Sequence, residues 1–320
     1  MLNLDADTVA RALPYQQLIE ALAEAFAADT EVPQRAHLDI PVPGGAAGTL
    51  LLMPAWRTGL SLGVKIATVF PDNARHKHPA VFASYILMSA ETGAPVAILE
   101  GSELTLRRTA AASALASSYL SREDSKKLLM LGTGSLAPHL IAAHATARAI
   151  DDVVIWGRRK AAAIQLAERV AATVAKVSVS ENLEEAIATA DIISSATLAV
   201  DPLIRGDWLR PGQHVDLVGA YRPDMREADT AALVRASVYV DTYAGALAEA
   251  GEIVQALQSN ALTRDHISGE LRELATGKVC GRRESQQITL FKSVGTALED
   301  LAAAELAVHN VTSERQGTSD

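Results

Sequence analysis

Hydrophobic and polar positions alternate in two different ways along the 320 residues of this chain. The first part opens with a helical pattern over 15–28, where apolar residues recur every three and four positions. A proline- and glycine-rich stretch follows over 33–48. Shorter apolar runs then predict four strands, at 49–53, 62–69, 81–88 and 95–99. The last two runs flank a hairpin turn signal at 91–94, so we expect a mostly antiparallel sheet, followed by an alanine-rich helix over 103–120.

From Lys127 onward the pattern changes to an alternation of strands and helices. The predicted strands are 128–131, 153–156, 175–179, 192–195, 215–218 and 238–240. The predicted helices between them are 137–150, 160–174 and 182–189. This alternation predicts an α/β fold with a doubly wound, largely parallel sheet. A further alanine-rich helix is expected at about 295–310, with 312–320 as a frayed tail.

The most specific motif lies where the first of these strands turns into a helix. Gly132, Gly134 and Ala137 follow the apolar strand in the G-x-G-x-x-G/A spacing of a dinucleotide-binding turn. Gly132 permits the tight turn, Gly134 lets the backbone approach a pyrophosphate, and Ala137 lets the helix pack closely on the strand. The helix N-terminus then points at the phosphates. The motif therefore predicts a nicotinamide dinucleotide site.

Composition and charge exclude several other classes of protein. The net charge of −9 without a basic stretch argues against nucleic acid as a partner. The single cysteine, Cys280, excludes an intramolecular disulfide and a cysteine-cluster metal site, and the histidines lack the H-E-x-x-H spacing, so we propose no metal. No apolar run is long enough for a bilayer and no signal pattern opens the chain, so we expect no membrane association and a cytoplasmic location.

The residues after the second strand indicate which cofactor binds. An acidic residue that would accept from the ribose 2′-hydroxyl of NADH is missing there. Arg158, Arg159 and Lys160 stand in that place, at a helix start where cations oppose the helix dipole and a bound anion would relieve the conflict. We therefore favour NADPH, with NADH possible, and expect Arg158 and Arg159 to contact the 2′-phosphate.

Several segments in order along the chain resemble the ornithine cyclodeaminase/μ-crystallin family. They are Lys65 with Phe70–Asn73, Leu104–Ser113, Gly132–Gly134, Ala190–Thr197, Val218–Glu227, and Phe291–Gly295 with Asp300. The resemblance implies a Rossmann-type dinucleotide-binding domain over 121–295. It also implies an α+β substrate-binding and dimerisation domain over 1–120 plus 296–320, completed by the C-terminal helix. A homodimer formed through the N-terminal sheets is implied as well.

The same resemblance implies which residues bind the substrate. It assigns the substrate carboxylate to Arg35, Lys65 and Arg108, and a small carboxylate is indeed well held by a guanidinium together with a point charge. Lys65 lies in an otherwise apolar strand, where an unpaired ammonium would be costly, so we expect the ligand carboxylate to be its partner. Lys65 is also a candidate proton donor, although a purely electrostatic role is equally open.

The cofactor residues implied by the resemblance come from five segments. Gly132, Thr133, Gly134, Ser135 and Leu136 are implied to hold the pyrophosphate, and Thr197, Val218 and Gly219 to lie near the nicotinamide ribose. Arg108 and Ser293 are the remaining cofactor residues. Val294 is implied to lie near the substrate.

Two departures from the cyclodeaminases narrow the expected activity. Leu51 stands where those enzymes have a glutamate, and Tyr221 stands where they have an aspartate, so a diamine substrate would meet neither carboxylate. The segment around Tyr221 looks more like the imino-acid reductases of the family. We therefore expect reduction of Δ1-pyrroline-2-carboxylate to proline or of Δ1-piperideine-2-carboxylate to pipecolate, in proline metabolism or a neighbouring pathway.

Three alternatives stay open, and the preferred ring size is also undecided. Two are enzymes of the same class, an ornithine or lysine cyclodeaminase and an alanine-type dehydrogenase. The third is a dinucleotide-regulated small-ligand binding protein like μ-crystallin.

Overall fold

The computed structural model of the chain describes residues 1–317. Its strands are, in chain order, β1 (Leu2–Leu4), β2 (Ala36–Ile40), β3 (Gly48–Arg57), β4 (Ser61–Val69), β5 (Val81–Ser89), β6 (Pro95–Glu100), β7 (Lys127–Leu131), β8 (Asp152–Trp156), β9 (Lys176–Val179), β10 (Ile192–Ser195), β11 (His214–Leu217), β12 (Ser237–Val240), β13 (Ile267–Glu270) and β14 (Thr289–Lys292). Its α-helices are α1 (Ala6–Ala12), α2 (Tyr15–Ala27), α3 (Gly101–Leu120), α4 (Ala137–Ala147), α5 (Lys160–Val170), α6 (Leu183–Thr189), α7 (Thr230–Arg235), α8 (Tyr243–Glu249), α9 (Gly251–Gln258), α10 (Leu271–Ala275) and α11 (Ala297–Gly317). None of these helices is long and apolar enough to cross a membrane.

The chain divides into two compact units. Unit 1 comprises Met1–Thr109 and the C-terminal segment that begins at Thr296, and unit 2 comprises Ala110–Gly295. The division falls inside α3, eleven residues before the boundary at 120 that the sequence led us to expect. Each unit has its own sheet and its own buried core.

Unit 1 is built on a six-stranded sheet in the order β1-β6-β5-β4-β3-β2. Neighbouring strands from β2 to β6 are antiparallel, as predicted, and only β1 runs parallel to its neighbour β6. Burial alternates along β4, where Gly63, Lys65 and Ala67 face inward. Helix α11 packs against β3, β4 and β5 and against α2. The inner face of the sheet and these helices therefore form the core of the unit.

The structure corrects two expectations in unit 1. Strand β2 lies within the stretch 33–48 for which no strand was predicted, and its five residues are all exposed, so they carry no inward-outward alternation. Helix α11 continues to Gly317, well past the predicted end near 310, so the predicted tail is helical as far as that residue. The rest of the predicted tail, 318–320, lies outside the described residues.

Unit 2 contains an eight-stranded sheet in the order β13-β12-β14-β11-β10-β7-β8-β9, with every neighbouring pair parallel. Its core is a row of apolar side chains in register across the strands: Val154, Leu129, Ile193, Val215, Leu290 and Val238. Such unbroken apolar strands are typical of a parallel sheet covered on both faces. The predicted doubly wound fold is confirmed, and the chain switches direction between β7 and β10, where ligands of such sheets bind.

Candidate active site

Lys65 lies in the middle of a buried row that crosses the sheet of unit 1. Its cross-strand neighbours are Met53 on β3 and Tyr85 on β5, and the row continues to Leu99 on β6. Lys65 is only 3% exposed, Met53 and Leu99 are apolar, and the Tyr85 hydroxyl makes no hydrogen bond with a described residue. Burial, reinforced by the charge of Asp300, raises the pKa of Tyr85 well above its ordinary value, so this phenol stays neutral.

The partner of Lys65 comes from the first turn of α11. Its Nζ lies 3.0 Å from Oδ1 and 2.7 Å from Oδ2 of Asp300. The same carboxylate accepts a hydrogen bond from Nε of Arg108 on α3 at 2.9 Å, while Nη1 of Arg108 pairs with Glu299 at 2.5 Å. Both carboxylates are fully buried. Acidic residues are favourable at this helix end because they complement the helix dipole.

This arrangement corrects one expectation from the sequence. Lys65 has a carboxylate partner within the chain itself, so a ligand carboxylate is not needed to make its burial tolerable. The charges of Lys65 and Arg108 are balanced by those of Asp300 and Glu299. We call these four residues the carboxylate-clamp group.

The electrostatics of this group keep Lys65 close to titration. Burial and the nearby charge of Arg108 lower the pKa of Lys65 to about 8, although Asp300 opposes this shift. Arg35 contributes to the same lowering, so its guanidinium lies within electrostatic reach of Lys65. For Arg108, burial favours the neutral form, but the two carboxylates outweigh it and the pKa is raised. Arg108 is therefore permanently charged, whereas Lys65 can exchange a proton near neutral pH.

In unit 2, the glycine turn predicted from the sequence joins β7 to α4. Gly132 has a φ of +106°, and a Cβ at this position would lie 2.6 Å from the carbonyl oxygen of Ala196. Only glycine fits there. By contrast, the space where a Cβ of Gly134 would project is open, with nothing within 4 Å. Gly157, at the end of β8, leaves room for the side chain of Thr133.

The start of α4 fits the phosphates of a dinucleotide. No side chain among the described residues caps this helix N-terminus, but the Ala137 N–H donates to the Gly134 carbonyl at 3.2 Å and Pro138 has no N–H, so the backbone that can face an anion is that of the turn just before the helix. Ser135 and Gly134 are exposed, and Leu136 is half-buried. The open space at Gly134 and the exposed turn before α4 together form a cradle suited to a pyrophosphate.

The two arginines predicted to select the cofactor lie just beyond β8. Arg158 and Arg159 are exposed, and Arg159 occupies the N-cap position of α5 without making a side-chain cap. Neither has an ion-pair partner among residues 1–317, whereas the adjacent Lys160 pairs with Glu181. Both guanidinium groups are thus available to a ligand.

The predicted residues at the ends of β10 and β11 are held together by a residue that sequence reasoning missed. The carboxylate of Glu227 accepts hydrogen bonds from the backbone N–H and hydroxyl of Thr197 at 2.7 and 2.8 Å. It also accepts from the backbone N–H of Gly219 at 2.6 Å. Val218 is buried just before this point and donates to the carbonyl of Ser195 at 2.9 Å. In the sequence, only its position in the family-like segment Val218–Glu227 pointed to Glu227.

The last predicted pair, Ser293 and Val294, follows β14 and is held by Asp241. One oxygen of this buried carboxylate accepts from the Ser293 hydroxyl at 3.1 Å and from the backbone N–H groups of Val294 and Gly295 at 2.8 and 2.7 Å. Gly295 has a φ of +80°, which favours glycine at this sharp turn. Asp241 was also missed, because nothing in its local sequence separates it from a surface acid.

No group of three or more His, Cys, Asp or Glu within the described part of the chain could hold a metal ion. The site residues of the sequence analysis therefore fall into two sets. Lys65 and Arg108 meet at Asp300 in unit 1, within reach of the charge of Arg35. The glycine turn, Thr197, Gly219 and the Ser293 turn line the carboxyl ends of the strands in unit 2.

Comparison with known proteins identifies the family. The model of the ornithine cyclodeaminase/mu-crystallin family matches residues 2–315, and the chain belongs to this family. A Delta(1)-pyrroline-2-carboxylate reductase of Colwellia psychrerythraea is 38% identical to it over 314 residues, covering 96% of this chain and 98% of the relative.

Two solved structures share the whole fold. The Delta(1)-pyrroline-2-carboxylate reductase of Thermococcus litoralis, in complex with NADH and L-proline, superposes with a TM-score of 0.92 at 32% identity and covers 98% of both chains. An archaeal alanine dehydrogenase dimer with bound NAD superposes with a TM-score of 0.91 at 28% identity, covering 98% of this chain and 97% of that one.

Proposed function

We propose that the chain is an NAD(P)H-dependent reductase of cyclic imino acids, which converts Δ1-pyrroline-2-carboxylate to proline and Δ1-piperideine-2-carboxylate to pipecolate. The observation that carries this proposal is the buried carboxylate-clamp group, in which Lys65 and Arg108 meet at Asp300. It occurs in a chain similar along nearly its whole length to reductases of this substrate.

The substrate carboxylate is bound by Arg108, Lys65 and Arg35. Arg108 uses Nε and Nη1 for the internal carboxylates, and no partner is found for Nη2 within residues 1–317. Lys65 has three ammonium protons, and both of its contacts are with Asp300. Arg35, whose charge acts on Lys65, contributes to the attraction of the anionic substrate. Val294 is the further residue that we assign to substrate binding.

Lys65 keeps the imine nitrogen protonated or supplies its proton. The imine carbon becomes electrophilic enough for reduction when the ring nitrogen carries a positive charge. With its pKa lowered to about 8, Lys65 is mostly charged at neutral pH yet can release a proton at small cost. Asp300 would then stabilise the positive charge whether the proton lies on Lys65 or on the imine nitrogen.

The cofactor is held by the glycine turn and by the strand ends of unit 2. A bound reduced nicotinamide supplies the hydride that the imine carbon accepts. The N–H groups of Thr133, Gly134, Ser135 and Leu136 hold the pyrophosphate, and Arg108 and Ser293 contribute to the same cofactor. NADPH is preferred over NADH, because Arg158 and Arg159 provide two unpaired guanidinium groups for a 2′-phosphate.

The active form is a homodimer that associates through the sheet of unit 1. Most outward side chains of β3, β4 and β5 are apolar and partly exposed, among them Leu50, Leu52, Leu62, Val64, Ile66, Phe82 and Ile86, and Thr68 and Ser84 are polar exceptions. An antiparallel sheet with one face in water is normally polar on that face, so this surface is suited to contact another protein. The cytoplasmic location stays a prediction.

A substrate comparison tests the proposed activity. Purified protein is incubated with NADPH and each cyclic imine, and separately with NAD⁺ or NADP⁺ and ornithine, lysine or alanine, while nicotinamide absorbance is recorded. We expect NADPH oxidation with the imines and negligible reduction of NAD⁺ or NADP⁺ with the amino acids.

Turnover confined to ornithine or lysine would make the chain a cyclodeaminase, and turnover confined to alanine would make it an alanine-type dehydrogenase. Tight binding of NADPH and of an aromatic carboxylate without any turnover would favour a binding protein like μ-crystallin. Each of these results contradicts the proposed function.

A further inference from the structure

The buried carboxylate of Glu227 joins the ends of two neighbouring strands of unit 2. Oε1 accepts from the Ser195 hydroxyl at 2.6 Å and from both the N–H and the hydroxyl of Thr197, all at the end of β10. Oε2 accepts from the N–H of Gly219 at 2.6 Å and of Ala220 at 3.3 Å, just after β11. One side chain thus satisfies five donors on two strand ends.

The main chain around Glu227 is fixed independently of its carboxylate. Its carbonyl accepts from the N–H groups of Leu203 and Ile204, both at 2.9 Å. Its N–H donates to Oε1 of Glu252 at 2.7 Å. Gly251, the first residue of α9, packs against the Met225 carbonyl, where a Cβ would clash. This close approach brings the Glu252 carboxylate within reach of the Glu227 N–H. The side chain of Glu227 is therefore projected from a rigid base.

A buried lysine offsets part of the negative charge of the two buried carboxylates, Glu227 and Glu252. Lys292, at the end of β14, is fully buried and its Nζ lies 3.3 Å from Oε2 of Glu252. Burial raises the pKa of Glu227, while Lys292 opposes that shift and Glu252 adds to it. The five contacts nevertheless suit an ionised carboxylate, since all five partners donate and an ionised carboxylate only accepts.

We propose that Glu227 is a positioning residue, whose two carboxylate oxygens hold the ends of β10 and β11 in the arrangement that the nicotinamide half of the cofactor requires. The proposal rests on the proposed function for the presence of that cofactor. In a doubly wound sheet, the two halves of a dinucleotide lie over the two halves of the sheet on either side of the switch point. Here β7 and β8 serve the adenosine half, and β10 and β11 serve the nicotinamide half.

Glutamine cannot replace this carboxylate. Its amide offers one accepting oxygen and one donating NH₂ group. If the oxygen faces Gly219 and Ala220, the NH₂ opposes the N–H of Thr197. If the oxygen faces Thr197, the NH₂ opposes the two backbone N–H groups after β11. Either orientation disrupts one strand end and leaves the other in place.

Glu227→Gln tests the proposal against Asp229→Asn as the matched control. Asp229 lies two residues away and also accepts two backbone N–H bonds, from Gly206 and Ala232, but it contacts neither β10 nor β11. For each protein, the dissociation constants of NADPH and of adenosine 2′,5′-bisphosphate are measured by titration. Thermal unfolding and the kcat and KM for the cyclic imine are measured alongside.

We expect Glu227→Gln to weaken NADPH binding by about 10-fold or more, which is the size of one lost charge-assisted hydrogen bond. Binding of adenosine 2′,5′-bisphosphate should stay within about twofold of wild type, because that ligand reaches only the half of the sheet that Glu227 does not hold. The kcat should fall, and Asp229→Asn should show no difference between the two ligands. Glu227→Asp should recover less than half of the lost affinity, since the shorter side chain spans only one strand end.

A purely structural role would weaken both ligands in parallel with a loss of thermal stability, and that result would overturn the proposal. Unchanged NADPH affinity in a folded Glu227→Gln protein would overturn it as well. If wild-type protein bound NADPH but reduced no cyclic imine, the proposed function would fail, whereas the difference between the two ligands would still support Glu227 as the positioning residue.

Discussion

The acidic partner of Lys65 determines how this residue can act. An ammonium buried in an apolar row would lose its proton easily, but the Asp300 carboxylate lies 3.0 Å from Nζ of Lys65 and stabilises its protonated form. The result is a pKa of about 8, low enough for proton exchange and high enough for a charged side chain at neutral pH. The proposed reaction uses both properties.

The pH dependence of turnover follows from this pKa. As the pH rises through about 8, the ammonium of Lys65 loses its proton, so both carboxylate binding and proton supply weaken. We expect kcat/KM for the cyclic imine to fall by about tenfold per pH unit above that value. Lys65→Arg, whose guanidinium stays charged, should remove or displace the fall, and Lys65→Met should abolish turnover while sparing NADPH affinity. A wild-type profile that is flat up to pH 10 would contradict this role.

The cofactor preference is also decided by individual residues. Replacing both Arg158 and Arg159 by alanine removes the two cations that we assign to the 2′-phosphate. NADPH binding should weaken by about 10-fold or more, while NADH binding should change by less than about threefold. Titration of both cofactors measures this, with Lys160→Ala as the control because that lysine pairs with Glu181. Equal losses for the two cofactors would refute the assignment.

At the scale of elements, α3 is the helix that carries Arg108, and two arginines cap its C-terminal end. Arg148 donates to the carbonyls of Ser117, Ser118 and Ser121 at 2.7–3.3 Å. Arg282 donates to the carbonyl of Leu120 at 2.7 Å. Cations suit this helix end because its carbonyls lack partners within the helix.

We expect Arg148→Met to lower the free energy of unfolding by about 1–3 kcal/mol, because the carbonyls of Ser118 and Ser121 lose the Arg148 donor and that of Ser117 loses one of its donors. Urea denaturation monitored by circular dichroism measures the change. Arg283→Met is the control, since that exposed side chain makes no hydrogen bond or ion pair among the described residues. A stability equal to that of the control would show that water caps α3 equally well.

Sequence patterns predicted most elements because long runs have a clear period. The alternation in β4 and the apolar run of β7 were both found, whereas β13 and β14 were missed. Strand β13 contains a glycine and a glutamate that blur the apolar run, and β14 has only two apolar residues, Leu290 and Phe291, between Thr289 and Lys292. Strand β2 was missed because an edge strand with every residue exposed carries no pattern.

The site was only partly predictable for a different reason. Lys65 and Asp300 are 235 residues apart, and nothing local to either one indicates their pairing. Glu227 and Asp241 act through backbone N–H groups on other strands, which sequence reasoning cannot assign. The glycine turn could be predicted because its motif, strand and helix are contiguous in the chain.

For the whole molecule, the largely apolar outward face of unit 1 is the surface most suited to contact another protein. Val64 and Ile86 are cross-strand neighbours at its centre and are half-buried in the isolated chain. In the proposed homodimer, a second copy of this chain covers the face.

Introducing a charge on this face should therefore separate the copies. We expect Val64→Glu to halve the molar mass measured by light scattering after size-exclusion chromatography, because an unpaired carboxylate in an apolar interface is costly. Val234→Glu, an exposed apolar position in unit 2, is the matched control and should leave the mass unchanged. A wild-type chain that elutes as a monomer would contradict the dimer.

The central claim is that the carboxylate-clamp group binds the carboxylate of a cyclic imino acid. Its most direct test is a crystal structure with NADPH and pyrrole-2-carboxylate, a planar analogue that cannot be reduced. We expect carboxylate oxygens at hydrogen-bond distance, about 3 Å, from Nζ of Lys65 and the guanidinium of Arg108. An analogue bound elsewhere, with both cations contacting only Asp300 and Glu299, would contradict it.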